Sequence, residues 1–205
     1  MRMDDSVRQA LAKWPNVPHC YGWLALDARG VFRMRDEAAQ AAHLPGDVIR
    51  HPALLAFIHR NYACDDKGAW YFQNGPQRVY VELDATPFIA RTDPEFEFVT
   101  QDGQPMGAIG KVWMTDEGRL LLQSAAQDAQ KLAMLDDRDL AQCLSRLRID
   151  GHLINDDAQL LAWLDKPQHR LQWQLGEGLL EVEWLAAQTM EQRFGYVSRP
   201  GEALK

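Results

Sequence analysis

The sequence lacks a long run of apolar residues. Its aliphatic runs, such as Leu120-Leu121-Leu122, are far short of the roughly 20 apolar residues that a membrane helix needs. The N-terminal residues carry acidic side chains and no apolar stretch, so we expect no secretory signal there. The three cysteines, Cys20, Cys64 and Cys143, are odd in number and form no CxxC pair. We therefore expect free thiols, a cytoplasmic location and no membrane partner.

The sequence also lacks an excess of basic residues. Against 22 Lys and Arg stand 29 Asp and Glu, which gives 205 residues a formal net charge of −7. Non-specific binding to nucleic acid needs Lys and Arg to neutralise phosphates, so we expect no nucleic-acid partner. An apolar fraction of 46% with seven Trp predicts a globular core, and this length fits one large domain or two small ones.

Sequence motifs for common chemistries are missing as well. The chain contains no GxxxxGK[ST] or GxGxxG loop for nucleotides, no HExxH or HxxxH pair for zinc, and no GxSxG turn for a serine nucleophile. Acidic clusters at predicted helix starts are explained by capping. The least implausible nucleophile is Cys20, beside His19. We expect no catalytic residue, no metal and no cofactor, although a site assembled from distant residues leaves no linear motif.

What the sequence does contain is a series of β-hairpins with strong turn signals. Asp27 and Gly30 bracket one turn, and Asn74-Gly75 forms another, the dipeptide most typical of a tight hairpin. The predicted strand pairs are 23–26 with 31–34, 69–72 with 78–83, 112–114 with 120–122, and 171–175 with 180–184. In the last pair apolar and polar residues alternate, which predicts one buried face that includes Trp184.

Helices are predicted between these hairpins. His51-Pro52 begins one, because proline is well placed at a first helical position. Its predicted buried stripe is Leu54, Leu55, Ile58 and Tyr62. The others are predicted over 7–14, over 36–43, from about Asp137 and after Asp156. The fold class is therefore α+β, with antiparallel hairpins interleaved with helices. We predict domains at 1–98 and 108–190, divided in the Pro- and Gly-rich stretch 91–108, and a C-terminal arm at 191–205.

The two halves share a hairpin followed by a helix. The turn Thr115–Gly118 in the second half parallels the turn Asp27–Gly30 in the first. An internal duplication into two related subdomains explains this, and coincidence of two similar turns is the alternative.

The stretch from Gly30 to Phe88 resembles an uncharacterised bacterial family that is known only as a domain of unknown function. The matching residues are Gly30, the helix start His51–Phe57, Asp66-x-Gly68-x-Trp70-Tyr71-Phe72 and Arg78–Phe88. Within the last of these, Thr86 is an insertion and Leu83 replaces an acidic residue of the family pattern. The resemblance implies two small α+β domains built from a related motif and a role in signal transduction or ligand sensing.

The resemblance defines no catalytic residue, but its motifs supply candidate ligand-binding residues. These are His51, Arg78 and Asp84, and structural roles as helix start, strand charge and turn cap are the alternative for each. We predict a non-catalytic regulatory module that binds a protein or a small-molecule ligand. The alternatives are a hydrolase-like enzyme without a linear motif and a subunit of a homodimer.

Overall fold

A computed structural model describes residues 4–95, 97–126 and 131–201. The chain forms two compact units: the first comprises residues up to Pro87 with the segment from Gly195 onward, and the second is Phe88–Phe194. This division differs from the predicted boundary in 91–108 and from a separate arm at 191–205. The strand that begins at Phe88 pairs with a strand of the second unit, whereas Val197 pairs with Ala69 of the first.

The first unit contains short helices and strands in alternation. In chain order they are α1 (Asp5–Lys13), β1 (Cys20–Leu26), β2 (Phe32–Met34), α2 (Glu37–Ala41), β3 (Asp47–Val48), α3 (Pro52–Arg60), β4 (Tyr62–Cys64), β5 (Trp70–Asn74) and β6 (Gln77–Leu83). Among the described residues the strands form one sheet in the order β3-β2-β1-β6-β5-β4.

Local chemistry explains the hairpins of this sheet. The Asp27 carboxylate accepts hydrogen bonds from the backbone N–H groups of Arg29 and Val31, and Gly30 takes a φ of 76°. This closes the turn between β1 and β2 as predicted. Gly75, with a φ of 57°, closes the predicted turn between β5 and β6.

The two faces of the sheet have different roles. Leu24 and Leu26 of β1 lie opposite Val81 and Leu83 of β6 and are buried. This face packs against α3, which begins where the sequence predicted, because the His51 imidazole accepts a hydrogen bond from the Leu54 N–H at 3.3 Å. The opposite face carries the alternate residues, and these include the candidate site described below.

The second unit is larger. Its elements are β7 (Phe88–Asp93), β8 (Glu97–Thr100), β9 (Ile109–Thr115), β10 (Leu120–Ser124), β11 (Leu132–Leu135), α4 (Asp137–Leu144), β12 (Leu147–Ile149), β13 (His152–Leu153), α5 (Asp157–Asp165), β14 (Leu171–Leu175), β15 (Gly178–Leu185), a 3₁₀ turn (Ala187–Thr189) and α6 (Met190–Phe194). The described strands form one sheet in the order β13-β12-β14-β15-β9-β10-β11-β7-β8.

The sheets are mixed, which corrects the prediction of antiparallel sheets. The predicted hairpins are present, but β1 pairs with β6 in parallel, as β9 does with β15 and β7 with β11. These partners are distant in sequence, and a strand's alternation indicates its buried face without indicating its neighbour. The fold class α+β is confirmed. No helix in the described part of the chain is both long enough and apolar enough to span a membrane.

Candidate ligand-binding cavity

The second face of the first sheet forms the floor of a cavity of about 430 Å³. Ala25 of β1 lies directly opposite Glu82 of β6 in the parallel pairing, so both side chains point to this face. The Arg35 N–H donates to the carbonyl of Trp23, which continues the β1–β2 pairing and places Arg35 on the same face. The small side chain of Ala25 lies at the cavity floor, beside these two charged groups.

Arg35 and Glu82 form the buried part of an ion-pair network. The Arg35 side chain is only 10% exposed. Its Nε donates to the Leu44 carbonyl at 3.1 Å, and its Nη1 donates to the Glu82 carboxylate. Arg199 Nη1 donates to the same Glu82 oxygen, Oε2, at 3.1 Å, and Arg199 Nη2 lies 3.6 Å from Asp84 Oδ1. The four groups alternate in sign, and their charges sum to zero.

One wall of the cavity is α2 and the loop that follows it. The Asp36 carboxylate caps α2 by accepting from the Ala39 N–H at 2.7 Å. Gln40 Nε2 then donates to the Arg35 carbonyl at 3.1 Å, which fixes the helix against β2. The loop turns back at Gly46, where a Cβ would lie 2.3 Å from the carbonyl oxygen of Met34. This turn holds the other wall residues, His43, Leu44 and Pro45, over the sheet.

A β-bulge shapes the cavity from within β1. The pairing of β1 with β6 shifts register between Cys20 and Leu24, and Gly22 takes a φ of 80° there. A Cβ on Gly22 would lie 2.5 Å from Gln40 Oε1. The bulge directs the Tyr21 ring along the sheet, where it stacks on Tyr80 with ring centroids 4.6 Å apart. Bulges occur preferentially beside binding sites, where they redirect a side chain.

The C-terminal segment completes the cavity. The Val197 N–H donates to the Gly68 carbonyl at 3.0 Å, and the Leu83 N–H donates to the Ser198 carbonyl at 2.9 Å. These bonds dock the segment along β6 and bring Arg199 and Gly201 to the cavity. The close approach depends on Gly68, because a Cβ there would lie 2.1 Å from the carbonyl oxygen of Gly195.

Of the three residues that the sequence offered as ligand-binding candidates, Asp84 lines this cavity. His51 is the N-cap of α3. The guanidinium of Arg78 lies 4.5 Å from the centroid of the Tyr71 ring, beside Tyr80. His51 and Arg78 are not among the residues that line the cavity, and each has the local contact expected of a structural role.

The surroundings of Arg78 form a separate polar and aromatic cluster. The Tyr80 hydroxyl donates to Asp65 Oδ2 at 2.9 Å, and burial raises the pKa of Tyr80 to about 12. Burial also opposes ionisation of Asp65, but hydrogen bonds from the Ala69 N–H, the Tyr80 hydroxyl and the Lys67 N–H outweigh it and lower the pKa of Asp65. These contacts tie β6 to the turn that contains Asp65.

Two of the three cysteine thiols, Cys64 and Cys143, have raised pKa values. Burial raises the pKa of Cys64 to about 11, with a further contribution from the charge of Asp65, and burial raises the pKa of Cys143 to about 11. Thiols of such high pKa carry little thiolate at neutral pH. Within the described ranges, no three or more His, Cys, Asp or Glu residues are placed to share a metal ion.

Sequence reasoning missed most of the charged residues of the cavity. Glu82 stands inside the recognisable stretch Arg78–Phe88, and what marks it in the sequence is a carboxylate within the apolar segment Val79–Leu83. Arg35 follows a short strand, and Arg199 lies in a polar tail without periodicity. Nothing in the sequence around either residue therefore indicated a binding role.

Comparisons with known proteins place the chain in a family. A family model, DUF2944, matches residues 3–201 and is described as "Protein of unknown function (DUF2946)". No curated protein matches the chain. The chain is similar to a crystal structure, at 2.50 Å resolution, of a DUF1285 family protein from Silicibacter pomeroyi DSS-3, with 12% identity, a TM-score of 0.46, and coverage of 88% of this chain and 89% of that chain. Because the family model spans nearly the whole sequence, the chain belongs to the DUF2944 family of proteins of unknown function.

Proposed function

We propose that this protein is a non-catalytic ligand-binding module with a regulatory role in signal transduction, and that the cavity of the first unit is its ligand site. The observation that carries the proposal is the network of Arg35, Glu82, Arg199 and Asp84 around an open cavity. Its volume of about 430 Å³ falls in the range of small-molecule sites, roughly 300–1,000 Å³.

The energetics of the network favour a binding role over a stabilising one. Desolvating a charged pair offsets much of its Coulombic attraction, so apolar residues of similar volume give equal or greater stability. The Arg35 side chain is nine-tenths buried, yet it faces a cavity instead of a packed core. Groups held in this way are suited to recognise polar atoms of a ligand.

The same geometry favours binding over catalysis. The thiols of Cys64 and Cys143 are kept protonated by their raised pKa values, and neither is among the residues that line the cavity. The cavity charges are paired with one another, which suits recognition more than proton transfer.

We also propose that the two units derive from a duplicated motif. The strands β3-β2-β1-β6-β5-β4 and β11-β10-β9-β15-β14-β12 follow the same order. In each set the central pair is parallel, and its flanking pairs are antiparallel. In each, a helix follows the third strand: α3 in the first unit and α4 in the second. A shared order and shared directions over six strands support duplication over coincidence.

A thermal-shift screen of the full chain against a broad panel of metabolites tests the ligand site. We expect at least one compound to raise the midpoint, since a ligand at 100 times its dissociation constant adds about 2.7 kcal/mol of stability. The variant Ala25→Leu fills the cavity floor and abolishes that shift. Ala38→Leu, at an exposed position of α2, is the matched control and retains it.

Two outcomes contradict the proposal. One is a panel in which no compound shifts the wild-type midpoint, which favours a protein partner or a homodimer instead. The other is a shift that persists in Ala25→Leu, because that ligand then binds elsewhere on the chain.

A further inference from the structure

The second unit has a large side chain at a position where the first has a small one. Ala25 lies opposite Glu82 in the parallel pair β1–β6, and Trp113 lies opposite Glu183 in the parallel pair β9–β15. Each unit therefore has a glutamate at the same place in its central strand pair. The side chain across from this glutamate is the methyl group of Ala25 in the first unit and the indole of Trp113 in the second.

The turns that follow these strands support the correspondence of the two positions. Asp27 follows Ala25 by two residues, and Thr115 follows Trp113 by two residues. The Asp27 carboxylate accepts from the N–H four residues later at 2.9 Å, and the Thr115 hydroxyl does the same at 3.1 Å. The glycines that follow, Gly30 and Gly118, have φ values of 76° and 77°. The alignment of Ala25 with Trp113 thus rests on register and on turn geometry together.

In the second unit the indole satisfies the glutamate. Trp113 is buried, and its Nε1 donates to Glu183 Oε2 at 2.8 Å. Arg193 donates to the same oxygen at 2.9 Å, and its guanidinium lies 5.7 Å from the centroid of the Trp113 ring. The Phe194 ring packs against the Trp113 ring in a T-shaped arrangement, with ring centroids 4.9 Å apart. The indole is therefore held by a carboxylate, a guanidinium and an aromatic ring.

The first unit presents related chemical groups at the wall of its cavity. Glu82 Oε2 accepts from Arg199 at 3.1 Å and also from Arg35, whereas Glu183 Oε2 accepts from Arg193 and from Trp113. Tyr21 supplies an aromatic ring at the cavity wall. Both of these contacts of Glu82 involve Oε2, so Oε1 is the oxygen that we assign to a donor from a ligand. Relative to the second unit, the Arg35 guanidinium takes the place of the indole N–H on Oε2, and the aromatic bicycle itself has no counterpart.

We propose, building on the ligand site proposed above, that the cavity takes a planar, uncharged bicyclic heteroaromatic molecule with a ring N–H, of the size of an indole or a purine. Its N–H donates to Glu82, and its ring lies beside the Arg199 guanidinium. An uncharged ligand fits because the charges around the cavity already sum to zero. A ring of this size also fits a cavity of about 430 Å³.

Isothermal titration calorimetry with indole tests this directly on the wild-type chain. Benzofuran is the matched probe, because it has the same shape but an oxygen in place of the N–H. We expect one indole per chain and an affinity at least about tenfold higher than that of benzofuran, since a hydrogen bond to a charged acceptor is among the stronger ones. Equal affinities, or no binding of indole, overturn the inference.

The variant Ala25→Trp provides the second arm. It places an indole on the cavity floor and is expected to abolish the binding of added indole, whereas Ala38→Trp on the exposed face of α2 retains it. Undiminished indole binding by a folded Ala25→Trp protein contradicts the inference. If Ala25→Trp does not fold, the comparison of indole with benzofuran still decides.

The failure of this inference is distinguishable from that of the ligand site itself. If the metabolite panel yields a ligand that Ala25→Leu blocks, but indole does not bind, the heteroaromatic class is wrong and the site stands. If no compound of the panel binds and indole does not bind either, both proposals fail.

Discussion

Substitution of Asp136 by Asn tests how charge stabilises the second unit. Asp136 caps α4, and its side chain is fully buried. Its Oδ1 accepts from the backbone N–H of Arg138 at 3.0 Å and from the Arg138 side chain at 2.9 Å. Burial opposes ionisation of this carboxyl, but the hydrogen bonds from Arg138 outweigh it and lower the pKa of Asp136 from 3.8 to about 2.

The size of the effect follows from that pKa. One pKa unit corresponds to about 1.4 kcal/mol, so the charged form of Asp136 contributes about 2 kcal/mol to the free energy of unfolding at pH 7. Because the pKa is lower in the folded state, the contribution is complete above the unfolded pKa and is lost as the pH falls through about 2. At pH 3 about 1 kcal/mol remains.

Urea unfolding of wild type and Asp136→Asn, at pH 7 and at pH 3, measures this difference. Asparagine is as good an N-cap as aspartate, so the variant keeps the bond to the Arg138 N–H but loses the charge and the bonds that Oδ2 accepts from the Arg138 guanidinium. Asp156→Asn is the matched control, because Asp156 also caps a helix by accepting from the second N–H but is exposed. We expect the control to change the free energy by less than about 0.5 kcal/mol. A loss in Asp136→Asn that is the same at both pH values refutes the electrostatic reasoning.

Three further predictions concern the docked segment, the thiols and the filled cavity. Gly68→Ala is expected to speed hydrogen exchange at the Val197 amide and to destabilise the protein. The effect should exceed that of Gly151→Ala, where an added Cβ meets nothing within 4 Å. Equal effects of the two variants would show that the close approach of Gly68 to Gly195 is unimportant. Alkylation of Cys64, whose pKa is about 11, is expected to rise about tenfold per pH unit between pH 7 and 10, and a plateau below pH 9 would contradict this. Trp113→Ala is expected to lower the free energy of unfolding by about 3–5 kcal/mol. Added indole is expected to restore part of this loss. If indole does not change the unfolding midpoint of the variant, the result counts against the equivalence of the two units.

The hairpins and helices were predictable because their signals are local. Two turns are defined within a few residues, one by Asn74-Gly75 and the other by Asp27 and Gly30. Pro52 likewise indicates a helix start independently of residues that are distant in the sequence. The order of strands was not predictable, because the partner of β1 is β6, more than fifty residues later in the sequence. Alternation of apolar residues in β1 is satisfied equally by any neighbour that buries the same face.

Burial of individual apolar residues was predicted less well. Leu54 and Trp184 were expected to be buried but are 37% and 39% exposed. The helix α3 buries Ile58 most completely, because only one side of so short a helix meets the sheet. Trp184 keeps its indole N–H near the surface, where it donates to the Leu164 carbonyl at 3.1 Å, as amphipathic rings commonly do.

The candidate site was predictable only in part. Asp84 was singled out because it stands on a recognisable motif, and it does line the cavity. Arg199 could not be anticipated, since it meets Glu82 from 117 positions later in the chain. The glycine of the bulge, Gly22, looks like an ordinary interruption of a strand in the sequence, and its role is visible only once Gln40 is placed beside it.

A crystal structure of the protein grown with saturating indole tests the ligand site most directly. We expect a planar ring in the cavity over Ala25, with its nitrogen within hydrogen-bond distance of the Glu82 carboxylate. An indole bound at a different surface of the chain, or a cavity that holds only water at saturating concentration, would contradict it.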